Sequence, residues 1–267
     1  MLNIEFILLF LLIGCFVGFI AGLLGVGGGG LMVPILTSIF LFKGVPVDSV
    51  VHLALGTSMA SMVVTTFSSF RAHASRRSVL WKVARGMSIG IIVGTFLATF
   101  IASYMSSFYL AIFFSLFMAY VSSQMFLNKK PKPSRELAGN TGLFLAGSAI
   151  GAISALVSIG GGALTVPFLT WQNVEIKKAI GTSAAVGFPI SIAGTIGYLV
   201  NGWPNTSPGD YMFGFVYLPA ALLISATSFF AAPYGAMLSH KLPVSILKKV
   251  FGVLLFCLSI KMLASVL

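Results

Sequence analysis

The chain has 267 residues, 58% of them hydrophobic and 8% charged, with sixteen Lys or Arg against five Asp or Glu and a net charge of +11. A soluble domain carries about 25% charged residues, so this composition excludes a water-soluble protein and predicts an all-α polytopic membrane protein. The basic balance is accounted for by membrane topology and does not call for a nucleic-acid partner.

The first apolar segment is predicted to span 4–24. "MLNIEF" before it lacks a basic n-region, so no cleaved signal peptide is expected. The segment runs into "GLLGVGGGGLMVP" (22–34), where Gly27, Gly28, Gly29 and Gly30 are consecutive. Each glycine costs roughly 1 kcal/mol against Ala inside a helix. Proline favours the first helical position and pushes the residue before it extended. A short helix is therefore expected to start at Pro34 and run to residue 42, leaving Gly27 to Val33 irregular. Nine residues reach about 13 Å, roughly half the hydrocarbon core, which puts the glycines near the midplane.

Three spans follow, at 50–70, 83–103 and 107–127. The loop 71–85, "RAHASRRSVLWKVAR", and the run 129–135, "KKPKPSR", are both assigned to the cytoplasmic side by their positive charge. Beyond a basic linker at 129–138 the predicted spans are 139–156, 179–200, 213–235 and 243–264, with a short apolar piece at 167–174. If Lys177 and Lys178 also face the cytoplasm, fourteen of the sixteen basic residues lie inside, with Lys43 and Lys261 outside. Trp81, Trp171 and Trp203 fall near span ends, as interfacial anchors do. Cys15 and Cys257 lie within spans as small apolar residues.

The second half repeats the phrases of the first. "ALVSIGGGALTVP" (155–167) answers "GLLGVGGGGLMVP", 133 residues on at the glycines. "AIGTSAA" (179–185) answers "ALGTSMA" (54–60), 125 residues on, so Gly56, Thr57 and Ser58 align with Gly181, Thr182 and Ser183. Each half reads as an interrupted segment followed by three crossings. An odd number of crossings turns the second copy over, so residues 1–128 and 139–267 are expected to be inverted-topology repeats, a recurring plan of secondary transporters.

The pair "LLGVGGGGLMVPIL" and "ALGTS", repeated as "LVSIGGGALTVPFL" and "AIGTS", resembles the TauE/SafE family of sulfite and organosulfonate exporters along essentially the whole chain. The resemblance implies a carrier in the bacterial inner membrane for sulfite, sulfonates such as sulfoacetate, or related small sulfur anions. A selective anion channel, or an uptake permease for a related oxyanion, is the alternative. The second copy departs from the first at Ser158, which stands where the first has Gly25.

Irregular backbone at membrane depth is tolerated where it lines a cavity or is buried in protein, and a helix N-terminus offers unpaired N–H groups and partial positive charge. The expected substrate site is therefore an amide cage from Gly27, Gly28, Gly29 and Gly30 and from Gly160, Gly161 and Gly162. Hydroxyls of Thr57, Ser58, Ser158, Thr182 and Ser183 complete it. "GVGGGG" also fits the dinucleotide pattern G-x-G-x-x-G, but no strand precedes it and the second copy lacks it. Hydroxyls recur at helical spacing at Thr57, Ser61 and Thr65 and at Ser183, Ser191 and Thr195, while Gly14, Gly18 and Gly22, Gly86, Gly90 and Gly94, and Gly147 and Gly151 read as helix-packing seams. His52, near the outer end of its span, is assigned a structural or interfacial role. The five carboxylates, Glu5, Asp48, Glu136, Glu175 and Asp210, all fall at span ends or in loops, and no cluster suits a metal, cofactor or nucleophile, so no enzyme is expected.

Overall fold

The computed structural model describes residues 3–24, 27–127, 136–239 and 244–265. Gly25, the basic run 129–135 with most of the predicted linker, and His240 and Lys241 lie outside the described residues. Among the described residues ten α-helices follow one another: α1 (Ile4–Leu24), α2 (Gly29–Phe42), α3 (Val47–Ser75), α4 (Trp81–Tyr104), α5 (Ser107–Leu127), α6 (Asn140–Val157), α7 (Gly162–Trp171), α8 (Ile176–Asn201), α9 (Leu218–Ser239) and α10 (Val244–Ala264). A two-residue hairpin pairing, β1 (Met212–Phe213) with β2 (Val216–Tyr217), precedes α9. Among the described residues seven helices are long and apolar enough to cross a membrane. The predicted eighth span forms α10, whose described apolar stretch, Gly252–Ala264, is shorter.

The short helices begin earlier than their prolines suggested. Gly28 and Gly161 take left-handed backbone (φ 72° and 78°), which glycine enters without steric cost. Helix then starts at the next residue in each copy, and Pro34 and Pro167 lie inside α2 and α7. A proline there removes one bond, to the first-turn carbonyl of Gly30 or Ala163. At 14 and 10 residues, the two helices reach about 21 and 15 Å, so both still fall short of a span.

Small residues decide which helices touch. Helix α1 packs along α9, and α6 packs along α4. A side chain on Gly14 or Gly18 would run into the α9 backbone at Ile224 and Ser228; one on Gly147 or Gly151 would meet α4 at Met87 and Ile91. Gly90 and Gly94 answer from the α4 side, against Phe144 and Ser148. With no side chains in between, the backbones close to contact, which drives helix association where the surrounding lipid is as apolar as the protein. The outward faces carry Leu12, Ile89, Leu97, Ile101 and Leu116, all exposed.

Helices α3 and α8 form the buried centre and run antiparallel. Gly56, near the start of α3, lies against Tyr198, near the end of α8. Midway, Thr66 Oγ1 and Ser191 Oγ are 3.0 Å apart. Past the end of α3, the Ser78 carbonyl lies against Gly181, near the start of α8. His52 is buried in α3 and its ring bonds the Ala102 carbonyl at 2.9 Å, a structural role.

Candidate functional site

The two glycine tracts meet. A Cβ on Gly27 would lie 2.9 Å from Gly160 Cα and 3.2 Å from Met62 Cε. One residue after each of these glycines comes a left-handed N-cap, Gly28 or Gly161, and then a helix. The N–H groups of Leu31 and Met32 return to the Gly28 carbonyl, and those of Leu164 and Thr165 to that of Gly161. The amides of Gly29, Gly30, Gly162 and Ala163 are first-turn donors with no acceptor inside their helices. Two positive helix ends thus converge on one spot.

That spot is the floor of a cleft of about 50 Å³. Since 10–15 Å³ accommodates one water, it has room for about four, or for an oxyanion of similar atom count. From Gly27 and Gly160 the wall climbs α3 through Thr65, Thr66, Ser68 and Ser69 to His73, with Gly22, Ala184 and Ala232 opposite. Thr65 Oγ1 lies 2.8 Å from Ser228 Oγ. The mouth is at the last turn of α3, beside the turn carrying Arg76 and Arg77, where Arg71 lines an adjoining recess. None of the lining residues is acidic.

The predicted site residues divide into three groups. Ser58 and Ser158 join the glycine tracts: Ser158 Oγ donates to Ser58 Oγ at 2.8 Å, and Ser58 Oγ donates to the Gly29 carbonyl at 3.2 Å. Ser158 does so from left-handed backbone (φ 50°), a strained conformation for a residue with a side chain. Gly29 faces Ser158 and Met62, and Gly30 faces Met118. Ser183 Oγ instead donates to the Ile180 carbonyl, a bond within its own helix.

Thr57 and Thr182 serve the loops. Thr57 Oγ1 accepts the Tyr217 N–H at 2.9 Å, just ahead of α9. Thr182 Oγ1 accepts the Leu80 N–H at 2.9 Å, just ahead of α4. Two residues earlier in each loop the Phe215 N–H reaches the Tyr198 carbonyl at 3.2 Å, and the Ser78 N–H reaches the His73 carbonyl at 3.3 Å. The adjacent glycines, Gly56 and Gly181, leave room for the Phe215 and Ser78 carbonyls. So the repeated "GTS" phrase docks the loop that leads into a helix.

Several parts of the site lie outside the sequence reading, Ser68, Ser69, His73 and Thr165 among them. Thr165 Oγ1, beside Gly161 in the first turn of α7, is buried with no hydrogen-bond partner among the described residues. A buried polar atom left unpaired calls for an explanation. In the sequence His73 reads as part of a basic loop; the signal it carries is its place 125 residues before Tyr198, the same interval that relates the two "GTS" phrases.

Comparison with known proteins places this architecture. The family model described as "Sulfite exporter TauE/SafE" matches residues 10–262. The chain belongs to the TauE/SafE family. It is 37% identical over 259 residues to a "Probable membrane transporter protein" of Haemophilus influenzae, covering 97% of this chain and 98% of that one. It is 28% identical over 248 residues to a protein of the same description in Methanocaldococcus jannaschii, covering 90% of each. It is 26% identical over 205 residues to the probable membrane transporter protein YdhB of Bacillus subtilis, covering 73% of this chain and 80% of that one. No solved structure matches it significantly. A TauE/SafE chain with seven described helices long and apolar enough to cross a membrane is a multi-pass membrane transporter.

Proposed function

We propose that this TauE/SafE protein is an inner-membrane carrier that exports small sulfur oxyanions, sulfite or sulfonates, holding the anion where Gly27 meets Gly160. The observation that carries this reading is the convergence of two helix N-termini at the floor of a cleft free of acidic groups. Backbone N–H groups and helix dipoles favour an anion there, and the Thr165 hydroxyl beside Gly161, buried without a partner among the described residues, offers a further donor. The family description supports a sulfur oxyanion as the solute.

The two halves are inverted repeats in this reading. Support comes from the swapped packing of α1 on α9 and α6 on α4, the antiparallel course of α3 and α8, and the matched loop bonds of Thr57 and Thr182. The basic turn at Arg76 and Arg77 marks the cytoplasmic side, so the cleft faces inward and its mouth draws anions from the cell. A carrier is favoured over a channel because the path stops at the cleft floor: fully buried Tyr198 and Met59 fill the space beyond it.

Equilibrium binding to purified protein tests the reading with a panel of sulfite, sulfoacetate, thiosulfate and sulfate. A hydrogen bond to a charged group contributes about 1.5–3 kcal/mol, so Thr165→Ala is expected to weaken sulfite binding about 10- to 150-fold. Gly27→Val, which pushes a side chain into Gly160, is expected to abolish it. Sulfite affinity unchanged in both variants would remove the site from the cleft floor.

A further inference from the structure

The cleft has a counterpart on the opposite face that is closed in this structure. The matched loop bonds pair His73 with Tyr198 and Ser78 with Phe215, and the glycine seams pair Gly147 and Met87 with Gly14 and Ile224. Carried along the helices, these pairs take the cleft wall into the other half. His73 becomes Tyr198, Ala184 becomes Met59, Ala21 becomes Ser154 and Ala232 becomes Thr95.

What stands at those positions is a plug over two stranded hydroxyls. Tyr198 is fully buried, and its hydroxyl donates to the Ala155 carbonyl at 3.0 Å. The Phe215 ring sits edge-on against it, with centroids 6.5 Å apart; on the open face the matching residue is the small Ser78. Met59 presses on Gly194. Beneath them Thr95 Oγ1 and Ser154 Oγ are fully buried with no hydrogen-bond partner among the described residues. These two hydroxyls stand where the open cleft has Ala232 and Ala21, and an unpaired buried hydroxyl is costly. Wetted by a vestibule, both are satisfied.

We propose that Tyr198, held down by Phe215, is the gate of a second vestibule on the face opposite Arg76, and that Thr95 and Ser154 line the anion's path there when the gate opens. This rests on the reading of the protein as a carrier of two inverted halves. The present structure is the state open at the His73 side. Release to the other side withdraws the Tyr198 ring from the Ala155 carbonyl and brings water and the anion onto the two hydroxyls.

Cysteine accessibility in sealed vesicles of both orientations tests the gate without any anion present. In a background of Cys15→Ala and Cys257→Ala, single Thr95→Cys, Ser154→Cys and Ser68→Cys variants are treated with a membrane-impermeant maleimide. Ser68→Cys reports the open cleft and labels from the Arg76 side. Adding Tyr198→His with Phe215→Ser gives the closed face the residues of the open one, and labelling of Thr95→Cys and Ser154→Cys from the far side is expected to rise at least tenfold. Phe215→Ser alone, which leaves Tyr198 in place, is expected to give a smaller rise and carries the test if the double change does not fold. No rise from the far side, with Ser68→Cys still labelling from its own side, overturns the proposal. Sulfite binding measured on the same preparations separates the two ideas: far-side labelling without sulfite binding refutes the anion reading and supports the gate.

Discussion

Thr57 and Thr182 illustrate how one repeated residue can be spent on architecture. Each accepts a backbone N–H at 2.9 Å from the residue preceding a long helix. Removing the acceptor leaves a buried donor unpaired, at a cost of about 1–3 kcal/mol. Thr57→Ala and Thr182→Ala are therefore expected to lower the melting temperature in detergent by roughly 2–10 °C while sulfite affinity stays within about twofold of the unaltered protein. A variant that melts normally but binds poorly would return the hydroxyl to the anion. The sequence marked these threonines because they recur beside a glycine. It could not say that Tyr217, 160 residues further on, claims the hydroxyl of Thr57. The glycines were more legible, because a run of them at membrane depth has few uses; the contact of Gly27 with Gly160 is visible only in the structure.

At the level of elements, hydropathy was enough to locate most helices. Segments 4–24 and 107–127 form α1 and α5 with the bounds read from the sequence. The starts of α2 and α7 were not legible, because left-handed Gly28 and Gly161 release the helix five residues ahead of each proline. Which helices pair was legible only as a tendency, in the small-residue spacing of α1, α4 and α6. In the structure those glycines sit in the α1–α9 and α4–α6 seams, so a bulky residue must pry two backbones apart. Gly18→Leu and Gly151→Leu are each expected to cost at least the 1–3 kcal/mol of an overpacked core, read as a lower melting point and a reduced yield of monodisperse protein. Gly139→Leu, at a position with open space around it, is expected to leave both unchanged. Equal behaviour of the three variants would mean that the seams do not hold the bundle.

For the whole molecule, the cleft faces one side and ends on two helix N-termini, which suits a carrier that takes an anion from one compartment at a time. Moving a monovalent anion out of a negative interior gains about 2.3 kcal/mol per 100 mV, a concentration ratio of about 50. The membrane potential alone can therefore drive export, without the intramembrane carboxylates that proton-coupled transporters use. The decisive measurement is flux of radiolabelled sulfite through proteoliposomes holding the unaltered protein, Gly27→Val or Thr57→Ala, under an imposed potential. The unaltered protein and Thr57→Ala should give saturable flux that follows the potential and speeds up with sulfite on the far side, and Gly27→Val should give none. Flux that persists in Gly27→Val, or that ignores the potential and follows a proton gradient, contradicts the account.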